Sequence, residues 1–215
     1  MCFSATASFI AGATLSVVGI ITIKKAQNKC ELPFASIPLL FGIQQLIEGV
    51  IWLTFTHKNP VLNEILTYIY SVFSHGLWPM YIPFSIALLE HNGWRKKVIY
   101  VLQVAGITVG LYLLYFIFTQ PVVAQVMEKH IVYMSPHFYI IPVMVVYLLA
   151  TCSTCFFSSH KFIRYFGIFM LLSFSLSYYI HVEALVSVWC FFAAALSFLI
   201  FLHFESKKDS FQIIK

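Results

Sequence analysis

Apolar residues dominate this chain in seven long runs, at about 4–23, 33–55, 65–89, 97–119, 134–157, 162–181 and 184–203. Each is close to the roughly 20 helical residues that a 30 Å hydrocarbon core requires. Polar and charged residues collect between the runs, and the last two are parted by a residue or three, as in a tight helical hairpin. The pattern predicts an all-α polytopic membrane bundle of seven transmembrane helices. Residues 1–204 would form one domain, and 205–215 a short basic tail.

Composition removes the alternative of a water-soluble globule. Of 215 residues, 60% are hydrophobic and only 10% charged, with a mean hydropathy of +0.88. Too little polar surface remains to cover a core in water, so lipid is the expected solvent and the bilayer the main partner.

Charge then orients the bundle. Of the 13 basic residues, Lys24, Lys25, Lys29, Arg95, Lys96, Lys97, Lys161, Arg164, Lys207, Lys208 and Lys215 fall on one side of the expected spans, and only Lys58 and Lys129 on the other. The positive-inside rule makes the first group cytoplasmic, giving an N-out, C-in protein of the cell (inner) membrane. The net charge of +5 is thus accounted for by topology and does not call for a nucleic-acid partner. The first run has its lysines after it rather than before it, the reverse of a signal peptide, and is read as an uncleaved helix.

Small residues repeat every four positions at Ser4, Ser8, Gly12 and Ser16, and again at Gly106 and Gly110. Close helix packing explains them. Cys152 and Cys155 have a Cys-x-x-Cys spacing, but one pair near a helix end is weak evidence for metal or redox chemistry, and packing is preferred.

Ionisable groups inside spans are costly and mark function by default. In the second span Gln44, Glu48 and Trp52 recur every four residues, with Gln45 three before Glu48. Counting from residue 33 at 1.5 Å per residue puts Glu48 about 6 Å to the outer side of the midplane. In the third span Ser71, His75 and Trp78 share a face, with His75 near the midplane. Glu48 and His75 therefore lie at comparable depth on neighbouring antiparallel helices, the expected acid–base pair. Gln44, Gln45, Trp52, Ser71 and Trp78 would line their pocket. Cys2, His181 and Cys190 lie toward the same outer side. Glu48, His75, His181 and Cys2 include donor types that a divalent metal such as zinc takes, three with a water making a catalytic site.

The opening Met-Cys-Phe-Ser-Ala, Gln-Gln-Leu-Ile-Glu-Gly-Val-Ile-Trp at 44–52, Trp78-Pro79 and Val-Trp-Cys-Phe-Phe-Ala-Ala at 188–194 resemble an uncharacterised family of bacterial integral membrane proteins that opens with Met-Cys-aromatic-Ser. The resemblance covers essentially the whole chain and implies the membrane architecture. It directs attention to Cys2, Glu48, Trp78, Trp189 and Cys190, with Trp189 a further pocket residue. Some relatives carry histidine at or beside the position of Gln44, which argues against a histidine-rich metal site in this chain.

Three functions fit these residues: a metal-dependent or acid–base membrane hydrolase, a proton-coupled transporter switched by Glu48, and a non-enzymatic binder of a small molecule or lipid reached from outside. No His-Glu-x-x-His or His-x-x-x-His pair supports the first. The absence of repeated halves weighs against the second.

Overall fold

The computed structural model describes residues 4–127, 130–134, 137–180 and 184–212. It is all-α apart from one small hairpin. In chain order the elements are α1 (Ala5–Lys25), α2 (Lys29–Thr56), α3 (Pro60–Leu89), α4 (Gly93–Thr119), strands β1 (Val123–Met127) and β2 (His130–Met134), α5 (Ile141–Phe156), α6 (Lys161–Ile180) and α7 (Leu185–Ser206), which stays helical to Gln212.

Six of these helices, all but α5, are long and apolar enough to cross a membrane. The run expected to be the fifth span divides instead. Its first residue closes a β-strand, and its helix begins only at Ile141 with Pro142 in the first turn. The β-branched and aromatic stretch Ile131-Val132-Tyr133 suits a pleated strand better than a helix. At 1.5 Å per residue the remaining α5 is about 24 Å long. The other boundaries move less: α3 starts at Pro60, behind an Asn59 side chain that accepts from the Leu62 amide, and α4 starts at Gly93.

α1 lies on α2 through its small-residue face, with Ser8, Gly12 and Gly19 buried. A Cβ on Gly19 would stand 2.4 Å from the Leu39 amide nitrogen. Between α3 and α4 the approach is closer still, since a Cβ on Gly106 would fall 2.0 Å from the Pro79 carbonyl oxygen. Backbones approach to that distance only over glycine. α2, α3 and α7 are the most enclosed helices, while α1, α4 and α6 keep large lipid-type faces.

Two short π-segments interrupt the helices, Val72–Leu77 within α3 and Leu149–Ser153 within α5. The first has a local cause. Trp78 donates its amide to Phe73, five residues back, and Pro79 has no amide to donate. The Ser74 carbonyl therefore loses its helical partners, and the Tyr147 hydroxyl of α5 donates to it.

Candidate functional site

The enclosed helices bring a polar cluster to the middle of the bundle. Gln44, Gln45 and Glu48 on α2, Thr67, Ser71, Ser74 and His75 on α3, and Ser187 on α7 are all buried. Ser187 Oγ donates to Glu48 Oε1 at 2.6 Å. Trp78 Nε1 donates to Gln44 Oε1 at 2.8 Å, and the Trp78 ring stacks on Phe41 with centroids 3.8 Å apart. Trp78 thus fixes α3 against α2 through one bond and one stacked face.

His75 is held from its own helix. Its Nδ1 lies 2.7 Å from Ser74 Oγ and 3.2 Å from the Ser71 carbonyl oxygen. Ser74 Oγ itself donates to that carbonyl. A carbonyl only accepts, so the network assigns the proton of a neutral imidazole to Nδ1 and the lone pair to Nε2. Phe138 covers the ring edge-on at 4.6 Å. His75 Nε2 is buried and has no hydrogen-bond partner among the described residues. The bonds of the expected acid–base pair therefore differ from a direct contact: His75 is bonded to Ser71 and Ser74, and Glu48 to Ser187.

Other buried polar atoms share that condition. Both side-chain ends of Gln45, Trp52 Nε1, Thr67 Oγ1 and Ser71 Oγ have no partner among the described residues. They belong to α2 and α3, which meet along Pro60–Ser71 and again through Trp78. Native proteins rarely bury so many polar atoms in one place unless ordered water or a hydrogen-bonding guest satisfies them.

Trp189 lies beside Trp78 and Cys190. Its Nε1 donates 3.2 Å to the Met170 carbonyl, tying α7 to α6, and its ring meets Tyr147 and Phe174 edge-on. With Trp78, Phe41, Tyr147, Thr151 and Cys190 it encloses a cavity of about 10 Å³, room for about one water molecule. Cys190 faces Gln44, Glu48 and Tyr70.

Tyr70, Tyr133, Phe138 and Tyr147 join the candidate site through contacts that span periodicity does not reveal. Tyr70 stacks on Tyr133 of the hairpin at 4.3 Å, so the hairpin covers the cluster from above. A signal existed in residue type, because a tyrosine buried in an apolar bundle needs a partner for its hydroxyl.

Two of the expected metal donors, Cys2 and His181, lie outside the described residues. Among the described residues, no three His, Cys, Asp or Glu side chains are grouped to hold a metal ion. Cys152 and Cys155 are buried free thiols, Cys155 donating to the Thr151 carbonyl at 3.4 Å.

At the end of the bundle away from the hairpin, Glu90 closes a second polar cluster. Its Oε1 accepts from the Asn92 amide at 2.9 Å and Ser159 Oγ at 2.8 Å, and its Oε2 from the Ser159 amide at 2.7 Å. Arg95 and Arg164 both donate to the Ser158 carbonyl. Lys25 and Glu205 form an ion pair between α1 and α7. Burial alone would raise the Glu90 carboxyl, but the Asn92 and Ser159 bonds outweigh it and hold the group below its ordinary range.

The chain belongs to a family of unknown function, DUF6629, whose profile matches residues 1–213. Searches of curated proteins and of solved structures return no match.

Proposed function

We propose that this member of the family is a seven-span protein of the cell membrane, N-terminus outside. In this reading its buried cluster performs acid–base chemistry on a small polar molecule reached from the outer side. Glu48 and His75 exchange the proton, Glu48 from the α2–α7 contact and His75 through its Nε2 lone pair. Gln44, Gln45, Trp52, Ser71 and Trp78 position the guest. The set of buried donors and acceptors on α2 and α3 that have no partner among the described residues carries the proposal. A guest with both donor and acceptor groups satisfies them, and an apolar guest leaves them at a cost of about 1–3 kcal/mol each.

The seven-span topology draws support from both ends. Arg95 beside the start of α4 and Arg164 beside the start of α6 meet at the Ser158 carbonyl just beyond α5. The hairpin, at the far end of α4, leads toward the start of α5. α5 therefore runs from the hairpin end to the basic end, short as it is. The basic residues at the latter end suit a cytoplasmic face.

A hydrophobic carbodiimide, which reacts with protonated carboxyls in apolar surroundings, tests the reading in oriented sealed vesicles by peptide mass spectrometry. Glu48 is expected to be labelled, faster as the outer pH falls and indifferent to the inner pH, with no product at this position in Glu48→Gln. A Glu48 that stays unlabelled at every pH, or follows only the inner pH, overturns it.

A further inference from the structure

A further cavity lies away from Glu48 and His75, where the α2–α3 turn meets the segment leading into β1. It has a volume of about 580 Å³ and is lined by Lys58, Asn59, Asn63, Glu64, Tyr68 and Val122, among others. Its floor is ordered: Asn63 Nδ2 donates to Thr54 Oγ1 at 2.7 Å, and Asn59 caps α3.

Two features of this cavity are unusual. Lys58 and Glu64, of opposite charge, both line it, yet the only ion pair among the described residues is Lys25–Glu205 at the other end of the bundle. Neither side chain makes a hydrogen bond to the described protein. In addition, Lys58 has φ of 50°, in the left-handed region. A side chain other than glycine or asparagine rarely sits there, because the conformation costs about 1–2 kcal/mol. A glycine would make this turn without that cost.

We infer that this cavity binds a zwitterion, an anionic phosphate or carboxylate set against Lys58 and a primary ammonium set against Glu64 and Tyr68. The two charges line one cavity without pairing, one on the α2–α3 turn and the other on α3. A ligand carrying both signs bridges them, whereas a simple anion or cation meets one match and one repulsion. Two sources share this chemistry: the headgroup of phosphatidylethanolamine, available where the cavity meets the membrane surface, and a free zwitterion in solution. The site shares helix α3 with the buried cluster but none of its residues, so it stands or falls independently of the acid–base reading.

Native mass spectrometry of the purified full chain, released from micelles, separates the cases. The probes are phosphatidylethanolamine, phosphatidylglycerol, and water-soluble glycerophosphoethanolamine. Phosphatidylethanolamine is expected to be retained over phosphatidylglycerol, with retention falling about tenfold in Lys58→Gln and again in Glu64→Gln, the worth of one charge-assisted contact in each case. Equal binding of glycerophosphoethanolamine assigns the site to free zwitterions, and its failure beside retained lipid assigns it to the headgroup. Both substitutions are at exposed positions, and unchanged circular dichroism confirms that each variant is folded. Equal retention of phosphatidylglycerol, or retention untouched by Glu64→Gln, overturns the inference, as does retention of none of the three.

Discussion

The bundle holds two buried polar clusters built on opposite principles. Around Glu90 every carboxylate oxygen is engaged: two backbone amides and a hydroxyl converge on it, and two arginines close the neighbouring carbonyl. Around Glu48 and His75, helices α2 and α3 bury donors and acceptors that the described protein does not satisfy. The first arrangement closes a helix junction and leaves little for a ligand to do. The second is costly to fold and has the character of a site whose hydrogen bonds are reserved. The same residue types thus serve structure where they are saturated and point to function where they are not.

The largest effect is expected where saturation is removed. Glu90→Ala strands the Asn92 and Ser159 amides and is expected to cost about 3 kcal/mol in detergent-titrated unfolding followed by circular dichroism. The same pair of proteins gives a pH signature. The folded Glu90 carboxyl lies below its ordinary value of 4.5, so its contribution is complete above that value and is lost as the pH falls through the lower folded one. The stability gap between wild type and Glu90→Ala therefore narrows in acid; a gap constant across that window would show that the Glu90 bonds do not depend on its charge.

Trp78→Phe keeps the stacking on Phe41 but leaves Gln44 Oε1 without its donor, and is expected to cost about 1–2 kcal/mol in the same assay. Ser187→Ala removes one interhelical bond and is expected to cost about 0.6 kcal/mol, while speeding carbodiimide labelling of Glu48 by freeing Oε1. The smallest effect sharpens the comparison most. Gln45→Leu replaces a side chain whose polar ends are unbonded, and stability is expected to change by less than about 0.5 kcal/mol or to rise. A loss as large as that of Glu90→Ala would mean that Gln45 is saturated too.

Much of the architecture could be read from hydropathy because length and apolarity are local. Six helices lie close to where apolar runs of span length predict them, and the small-residue faces of α1 and α4 pack as their spacing suggests. The hairpin escaped because its two five-residue strands fall almost wholly between two runs of span length and are too short for a hydropathy window of that length to register. The early start of α3 was signalled by Asn59-Pro60, a cap and first-turn pair, but the polar residues behind it lower the window average. For the site, burial was readable and azimuth was not. Glu48 and His75 emerged by counting residues, whereas Ser187 of α7 and Tyr147 of α5 reach the cluster from helices far along the chain, whose rotation no local pattern encodes.

The π-segment of α3 changes how its residues should be counted. Six residues, Val72–Leu77, occupy a wider turn, so the helix beyond it is advanced by about one residue, or 100°, relative to an uninterrupted one. Spacings of three and four hold on each side of the segment but not through it. α3 behaves as two helices joined out of phase, one aiming Thr67 and Ser71 and the other aiming Trp78 and Ile82. Returning one residue to the ordinary winding would rotate one half against the other and turn His75 with it, so the Tyr147 bond to Ser74 acts as the pin that sets the phase.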